Sequence, residues 1–205
     1  MNGAFDLTYI VVVIVSILIS LVIHEFMHAY VGHLLGDSTA QEEGRLTLNP
    51  LKHIDPVMTV ALPIITLLVF HAPILAAKPV PFNPARVKFD EFGAAAIAAA
   101  GPLSNLVLAV IGAVLADRVF IGSHFWSYAF AVFTSLNVAL FVFNLLPIPP
   151  LDGSRVVYAV APEPVQNFMR AIEPYGLFII FGLVLTVGLG GFIVTLNQFI
   201  LNLLP

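Results

Sequence analysis

Residues 7–23 form an uncharged apolar run that leads directly into the sequence His24-Glu25-Phe26-Met27-His28. An apolar run of this length is typical of a transmembrane helix, and this restricts the fold more than any other feature of the chain. Ionisable side chains within such a helix are costly and usually mark a functional site. The sequence therefore predicts a membrane helix that carries chemistry, and a purely structural role for the three polar side chains is the less favoured alternative.

The spacing of the two histidines predicts a metal site. Positions four apart on an α-helix differ by about 40° in azimuth, so the imidazoles of His24 and His28 lie on the same face. Glu25 belongs to the same turn and lies close enough to reach a water at the metal. Two histidines, a neighbouring glutamate as general base and an open coordination position are the pattern of zinc metalloproteases.

The composition extends the membrane interpretation to the whole chain. Of its 205 residues, 60% are hydrophobic and 10% are charged, whereas about 25% are charged in soluble domains. We therefore predict an all-α polytopic membrane protein with one intramembrane metalloprotease domain over residues 1–205. The chain has no cysteine, so histidines and carboxylates must supply the metal ligands. No basic run indicates a nucleic-acid partner.

Five apolar blocks alternate with loops that are rich in proline and glycine. Pro63, His71 and Pro73 interrupt the second block, and its uninterrupted part is shorter than a membrane span. We therefore predict four transmembrane helices and one re-entrant or interfacial segment at residues 56–76. We also expect a small β-hairpin at the cytoplasmic side, and residues 36–50 or 78–84 are candidates for an extended edge that would hold a substrate open. The blocks cover about residues 7–35, 56–76, 93–116, 124–147 and 175–204.

The distribution of positive charge predicts the orientation in the cell membrane. If residues 56–76 do not cross and the N-terminus is outside, seven of the eight basic residues are cytoplasmic, whereas a full crossing divides them five to three. Blocks 7–35 and 124–147 then run parallel and both end at the cytoplasmic side, where we expect the active site. The seven residues are Arg45, Lys52, Lys78, Arg86, Lys88, Arg155 and Arg170, and the exception is Arg118.

This parallel arrangement offers a third metal ligand. Block 124–147 leads into Asp152, which the topology brings to the same membrane side as the histidine pair. His33 is less suitable because it is rotated by about 140° from the face of that pair. Helix geometry alone leaves His53 and Asp55 open as alternatives, and the Pro-Leu-Asp-Gly sequence around Asp152 is also good turn chemistry.

Three asparagines are candidates for a supporting or substrate-binding role. Asn137 and Asn144 are seven residues apart and so share one helical face, and Asn105 follows Gly101-Pro102. Hydrogen bonds between helices would explain them about as well as contacts with a substrate backbone.

Three motifs in this order resemble the site-2 protease family of intramembrane zinc metalloproteases. The resemblance covers nearly the whole chain, and it looks like the short branch of that family, without PDZ or CBS domains. It implies His24, His28 and Asp152 as ligands of one Zn²⁺ per chain, and Glu25 as the catalytic base. It also implies a substrate protein in the lipid bilayer, cleaved within or near its transmembrane helix. The motifs are His24-Glu25-x-x-His28, Ala100-Gly101-Pro102-Leu103-Ser104-Asn105, and Asn144-Leu145-Leu146-Pro147 running into Leu151-Asp152-Gly153.

Two other functions compete with proteolysis. A metal-ion transporter would also place His and Asp in membrane helices, but it does not need a glutamate between the two histidines. An inactive scaffold that binds transmembrane helices would tolerate the loss of Glu25 or of a ligand, and all four residues are present. The sequence does not predict the substrate, the cleavage position or the oligomeric state.

Overall fold

The computed structural model describes residues 7–55, 80–120, 122–186 and 189–205. These residues form eight α-helices and contain no β-strand. Short 3₁₀ helices lie at Pro50–Lys52, Pro84–Arg86 and Glu173–Tyr175, and a π-helical segment, Leu115–Val119, continues the third α-helix. The α-helices are α1 (Leu7–Leu34), α2 (Thr39–Glu42), α3 (Asp90–Val114), α4 (His124–Asn144), α5 (Asp152–Val160), α6 (Glu163–Ile172), α7 (Gly176–Thr186) and α8 (Leu189–Leu201).

Three of the described helices are long and apolar enough to cross a membrane. They are α1, α3 together with its continuation to Val119, and α4. The predicted span at 175–204 contains α7 and α8, and residues 187–188 between them lie outside the described part. The segment predicted to be re-entrant, 56–76, also lies outside it. The prediction of an all-helical membrane protein is confirmed for the described residues, whereas the number of four spans remains a prediction.

The predicted β-hairpin is not present among the described residues. Of the two candidates for an extended edge, residues 36–50 form α2 and turns. In the second candidate, residues 80–83 have no regular structure and Pro84 begins a 3₁₀ helix. Residues 78–79 of this candidate fall outside the described part.

Helix α3 lies at the centre of the fold and packs against α1, α4 and α5. It runs antiparallel to α1. Asn105 contacts Ser20, and Ile97, which precedes Asn105 in α3, contacts His28, which follows Ser20 in α1. Ala is frequent on α3, and buried alanines at 98, 100, 109 and 113 allow neighbouring helices to approach closely.

Helix α4 runs antiparallel to α3. Asn137 of α4 contacts Asn105, while Thr134, one turn earlier, donates a hydrogen bond to the Ala109 carbonyl at 3.5 Å. At Gly112 the helices are so close that a Cβ would lie 2.6 Å from Thr134 Oγ1. Since α1 and α4 are both antiparallel to α3, they run parallel to each other, as the charge pattern predicted.

The chain segments before and after the undescribed residues 56–79 meet at the C-terminal end of α1. The Lys88 N–H donates to the Leu35 carbonyl at 2.9 Å, and the Asn83 N–H donates to the Asp37 carboxylate at 2.6 Å. Burial alone would raise the pKa of Asp37, but hydrogen bonds from Thr39 and Asn83 lower it below its usual range. The ionised carboxylate thus ties segment 83–88 to the loop that follows α1.

Candidate metal centre

Two histidines of α1 and one aspartate of α5 converge on a common point. The Nε2 atoms of His24 and His28 are 3.0 Å apart. One carboxylate oxygen of Asp152, Oδ2, lies 3.2 Å from Nε2 of His24 and 3.4 Å from Nε2 of His28. Among the described residues, these three side chains form a group whose ligand atoms lie close enough to one another to hold one metal ion.

The turn between α4 and α5 sets the position of Asp152. Helix α4 ends at Asn144, and α5 begins at Asp152 itself. A Cβ at residue 153 would lie only 2.2 Å from the Leu145 carbonyl oxygen. Gly153 therefore permits α5 to start directly against the C-terminal end of α4, which brings the Asp152 carboxylate to the histidine pair.

The outer nitrogens of both imidazoles are held by hydrogen-bond acceptors. Nδ1 of His24 lies 2.6 Å from Oδ1 of Asn105, and Nδ1 of His28 lies 2.7 Å from the Ile97 carbonyl oxygen. A carbonyl oxygen only accepts, so Nδ1 carries the proton in each imidazole and donates it. The lone pair of each Nε2 then points at the common point, as a metal ligand requires.

A chain of buried amides extends this contact across three helices. Nδ2 of Asn105 donates to Oδ1 of Asn137 at 3.0 Å, and Nδ2 of Asn137 donates to the Phe133 carbonyl at 2.9 Å. Both asparagines are fully buried. Because each amide is fixed at both ends, the acceptor oxygen of Asn105 is oriented towards His24. Asn144, two turns further along α4, instead donates to the Leu140 carbonyl of its own helix at 2.9 Å.

Gly101 forms the side of the centre that faces α3. A Cβ at this position would lie 2.3 Å from Nε2 of His28 and 2.7 Å from Cε1 of His24. These distances are too short for any side chain, so only glycine leaves room for the imidazoles and an ion between them. The sequence interpretation named Gly101 only as part of a motif and missed this role.

Glu25 is buried beside the centre, on the same turn of α1 as His24. The other residues that the sequence left open as ligands are not part of the converging group. His33 is exposed, Nε2 of His53 lies 2.7 Å from the Thr47 carbonyl oxygen, and Asp55 is absent from the group.

The donor atoms fit a tetrahedral zinc site. With Zn–N and Zn–O bonds of about 2.0–2.1 Å, two ligands of a tetrahedral ion are about 3.3–3.4 Å apart. The three separations between Nε2 of His24, Nε2 of His28 and Oδ2 of Asp152 range from 3.0 to 3.4 Å. Two unprotonated nitrogens at 3.0 Å would repel each other without a shared cation, and three protein ligands leave a fourth position for water or substrate.

Comparisons with known proteins agree with this chemistry. The model of peptidase family M50 matches residues 118–187, which include Asp152. YwhC of Bacillus subtilis, named as a zinc metalloprotease, is 38% identical over 177 residues, which are 82% of this chain and 77% of the relative. Rip2 of Mycolicibacterium smegmatis, also named as a zinc metalloprotease, is 32% identical over 188 residues, 86% of this chain and 67% of the relative. No solved structure matched the chain.

Proposed function

The chain belongs to peptidase family M50 and is an intramembrane zinc metalloprotease; from this premise we propose which residues carry out the reaction and how they lie in the membrane. The observation that supports the assignment most strongly is the convergence of His24, His28 and Asp152, with both Nδ1 atoms donating away from the centre. We assign these three residues as the zinc ligands and Glu25 as the catalytic base.

The reaction is hydrolysis of a peptide bond by water. A zinc ion held at this centre supplies Lewis acidity, which favours deprotonation of water and polarises the scissile carbonyl. Glu25 accepts the proton of the attacking water and later delivers it to the leaving amine. Glu25 and both histidines are buried, and in such a site of low polarity the Glu25 carboxylate would interact strongly with a bound cation.

Asn105 and Asn137 hold the first imidazole in place. The fixed amide oxygen of Asn105 accepts the Nδ1 proton of His24 and so determines both its tautomer and its ring orientation. Asn137 in turn fixes the amide of Asn105. The recorded contacts of Asn105 and Asn137 favour a supporting role over direct contact with substrate.

The substrate is a membrane protein, and we place the cleaved bond within or near its transmembrane helix. The carbonyls of such a helix are hydrogen-bonded internally, so the helix must unwind locally before one of them can be attacked. We infer four spans with the N-terminus outside, so that the metal centre lies toward the cytoplasmic side.

Three observations support this orientation and the single domain over residues 1–205. The loop after α1 and segment 83–88 meet at one end of α1, which is what an even number of crossings between them requires. Seven of the eight basic residues then fall at the same side. The described long helices all pack against α3 and so belong to one packed unit.

The proposed function is tested with purified protein and a single-span test substrate in lipid vesicles. We expect one zinc per chain, cleavage in or near the substrate span, loss of cleavage when a chelator removes zinc, and recovery when zinc is returned. Zinc flux across the vesicle membrane without any cleavage would instead favour a metal transporter. Tight substrate binding without cleavage by the zinc-loaded protein would favour an inactive scaffold.

A further inference from the structure

A groove with a volume of about 500 Å³ lies between the N-terminal end of α3, helix α5 and the end of α6. Residues 82, 84 and 85, just before α3, form one wall, and residues 155 and 158 of α5 together with residues 170 and 173 form the other. Asp90, Glu91 and Ala94, in the first turns of α3, line it between these walls.

The groove lies about one helical turn from the metal centre along both helices that border it. Ala94 precedes Ile97 by three residues, and the Ile97 carbonyl accepts the hydrogen bond of His28. On α5, Arg155 follows Asp152 by three residues. Because one turn of an α-helix rises about 5.4 Å, an extended chain in the groove can continue into the centre within a few residues.

Hydrogen bonds within the chain fix the wall at residues 82–85. The Asn83 N–H donates to the buried Asp37 carboxylate, and Oδ1 of Asn83 accepts from the Ala85 N–H at 3.0 Å. Arg86, next to this wall, forms an ion pair with Glu42 at 3.0 Å. The groove is therefore a preformed feature, and a ligand need not order this wall on binding.

The two cations of the groove already have interaction partners. Arg155 forms an ion pair with Glu173. Arg170 donates to Oδ1 of Asn167 at 2.9 Å and lies over the ring of Tyr158 at 5.7 Å. The two other carboxylates that line the groove, at positions 90 and 91, belong to exposed residues. Three carboxylates and two guanidinium groups line the groove, so its formal charge is −1, and the exposed carboxylates at positions 90 and 91 are the ones without an ion pair inside the groove lining.

We propose that this groove binds the cytoplasmic juxtamembrane segment of the substrate, and that Asp90 and Glu91 favour segments that carry Lys or Arg. The inference rests on the proposed function and on the proposed orientation of the chain. Cytoplasmic flanks of membrane helices are enriched in Lys and Arg, so a substrate that leaves the metal centre on this side brings the charge that complements the groove.

The test compares two single-span substrates that differ only in their cytoplasmic flank, which carries three lysines in one and three glutamates in the other. We expect wild-type protein to cleave the lysine substrate with a kcat/KM about threefold to tenfold higher, as two partly exposed charge pairs would give. High salt should reduce this preference. In the double variant Asp90→Lys/Glu91→Lys, the preference should reverse.

A matched control separates recognition from helix stability, because acidic residues in a first turn also stabilise a helix. Glu163 occupies the first turn of α6 outside the groove, and Glu163→Lys should keep the wild-type preference. If the double charge reversal prevents folding, Asp90→Asn/Glu91→Gln should abolish the preference without reversing it.

Binding distinguishes failure of this inference from failure of the proposed function. The dissociation constants of both substrates are measured with zinc-loaded Glu25→Gln protein, and the lysine substrate should bind more tightly. If wild-type protein cleaves neither substrate, the proposed function fails, and these constants still test the groove. Equal binding of the two substrates, or an unchanged preference in the charge-reversed variant, would overturn the inference.

Discussion

Oδ2 of Asp152 lies 3.2 Å from Nε2 of His24, although the two residues are 128 positions apart in the sequence. Their meeting depends on α3, which packs against the helix of each residue and forces α1 and α4 to run parallel. The metal centre therefore forms only when α1, α3 and α4 have packed correctly, so zinc content reports on the fold as well as on the ligands.

The third ligand is tested by removing the Asp152 carboxylate. We expect Asp152→Ala to lose most of its zinc, measured by elemental analysis after purification, because two neutral imidazoles bind zinc less tightly than three ligands do. His33→Ala is the matched control, since His33 is exposed and outside the converging group. Loss of zinc in the His33 variant and retention in the Asp152 variant would show that the third ligand has been misassigned.

The space at Gly101 is tested with a single methyl group. A Cβ would lie 2.3 Å from Nε2 of His28, so Gly101→Ala should displace an imidazole and lower zinc occupancy severalfold. Gly191→Ala is the control, because a Cβ there meets nothing within 4 Å. Thermal unfolding of both variants without zinc checks that the helices still pack. Full zinc occupancy in Gly101→Ala would contradict the geometry of the centre.

The amide chain predicts a graded loss of zinc affinity. Asn105→Ala should weaken zinc binding about 10- to 100-fold, as is typical when the partner of a ligating histidine is removed. Asn137→Ala should have a smaller effect, because it acts through Asn105. Competition with a chelator measures these constants, and Asn144→Ala should behave like wild type because Asn144 bonds within its own helix. An equal loss of zinc affinity in all three variants would contradict the proposed chain of amides.

The orientation can be measured because the chain has no cysteine of its own. Single cysteines at Leu51 and Arg86, both exposed, should react with a membrane-impermeant thiol reagent only after cells are broken. A cysteine at Gly122, at the opposite end of α3, should react in intact cells. Labelling of position 86 but not of position 51 from outside would show that the chain crosses the membrane between them.

The sequence predicted those parts of the centre that depend on periodicity within one helix. The spacing of His24 and His28 determines that their imidazoles share a face, and the structure has them on one face. The position of Asp152 at the same end of the bundle as the histidine pair was predicted from charge bias, and its assignment as a ligand, which stays a prediction, rests on helix geometry and the family resemblance. Both arguments use information that is present in one sequence.

Contacts that depend on the register between helices could not be predicted in this way. The bond from His28 to the Ile97 carbonyl uses a backbone group, which no residue type marks. The Asn105–Asn137 contact requires the relative height of α3 and α4, which close packing at Gly112 sets.

The central claim is that a zinc ion held by His24, His28 and Asp152 hydrolyses a peptide bond with Glu25 as the base. It is tested most directly by measuring zinc content and cleavage of a single-span substrate in the same preparation of Glu25→Gln protein. The account predicts one zinc per chain and a cleavage rate lowered about 10²- to 10⁴-fold, while Glu163→Gln in the exposed first turn of α6 cleaves at the wild-type rate. Wild-type cleavage by the zinc-loaded Glu25→Gln protein would contradict it.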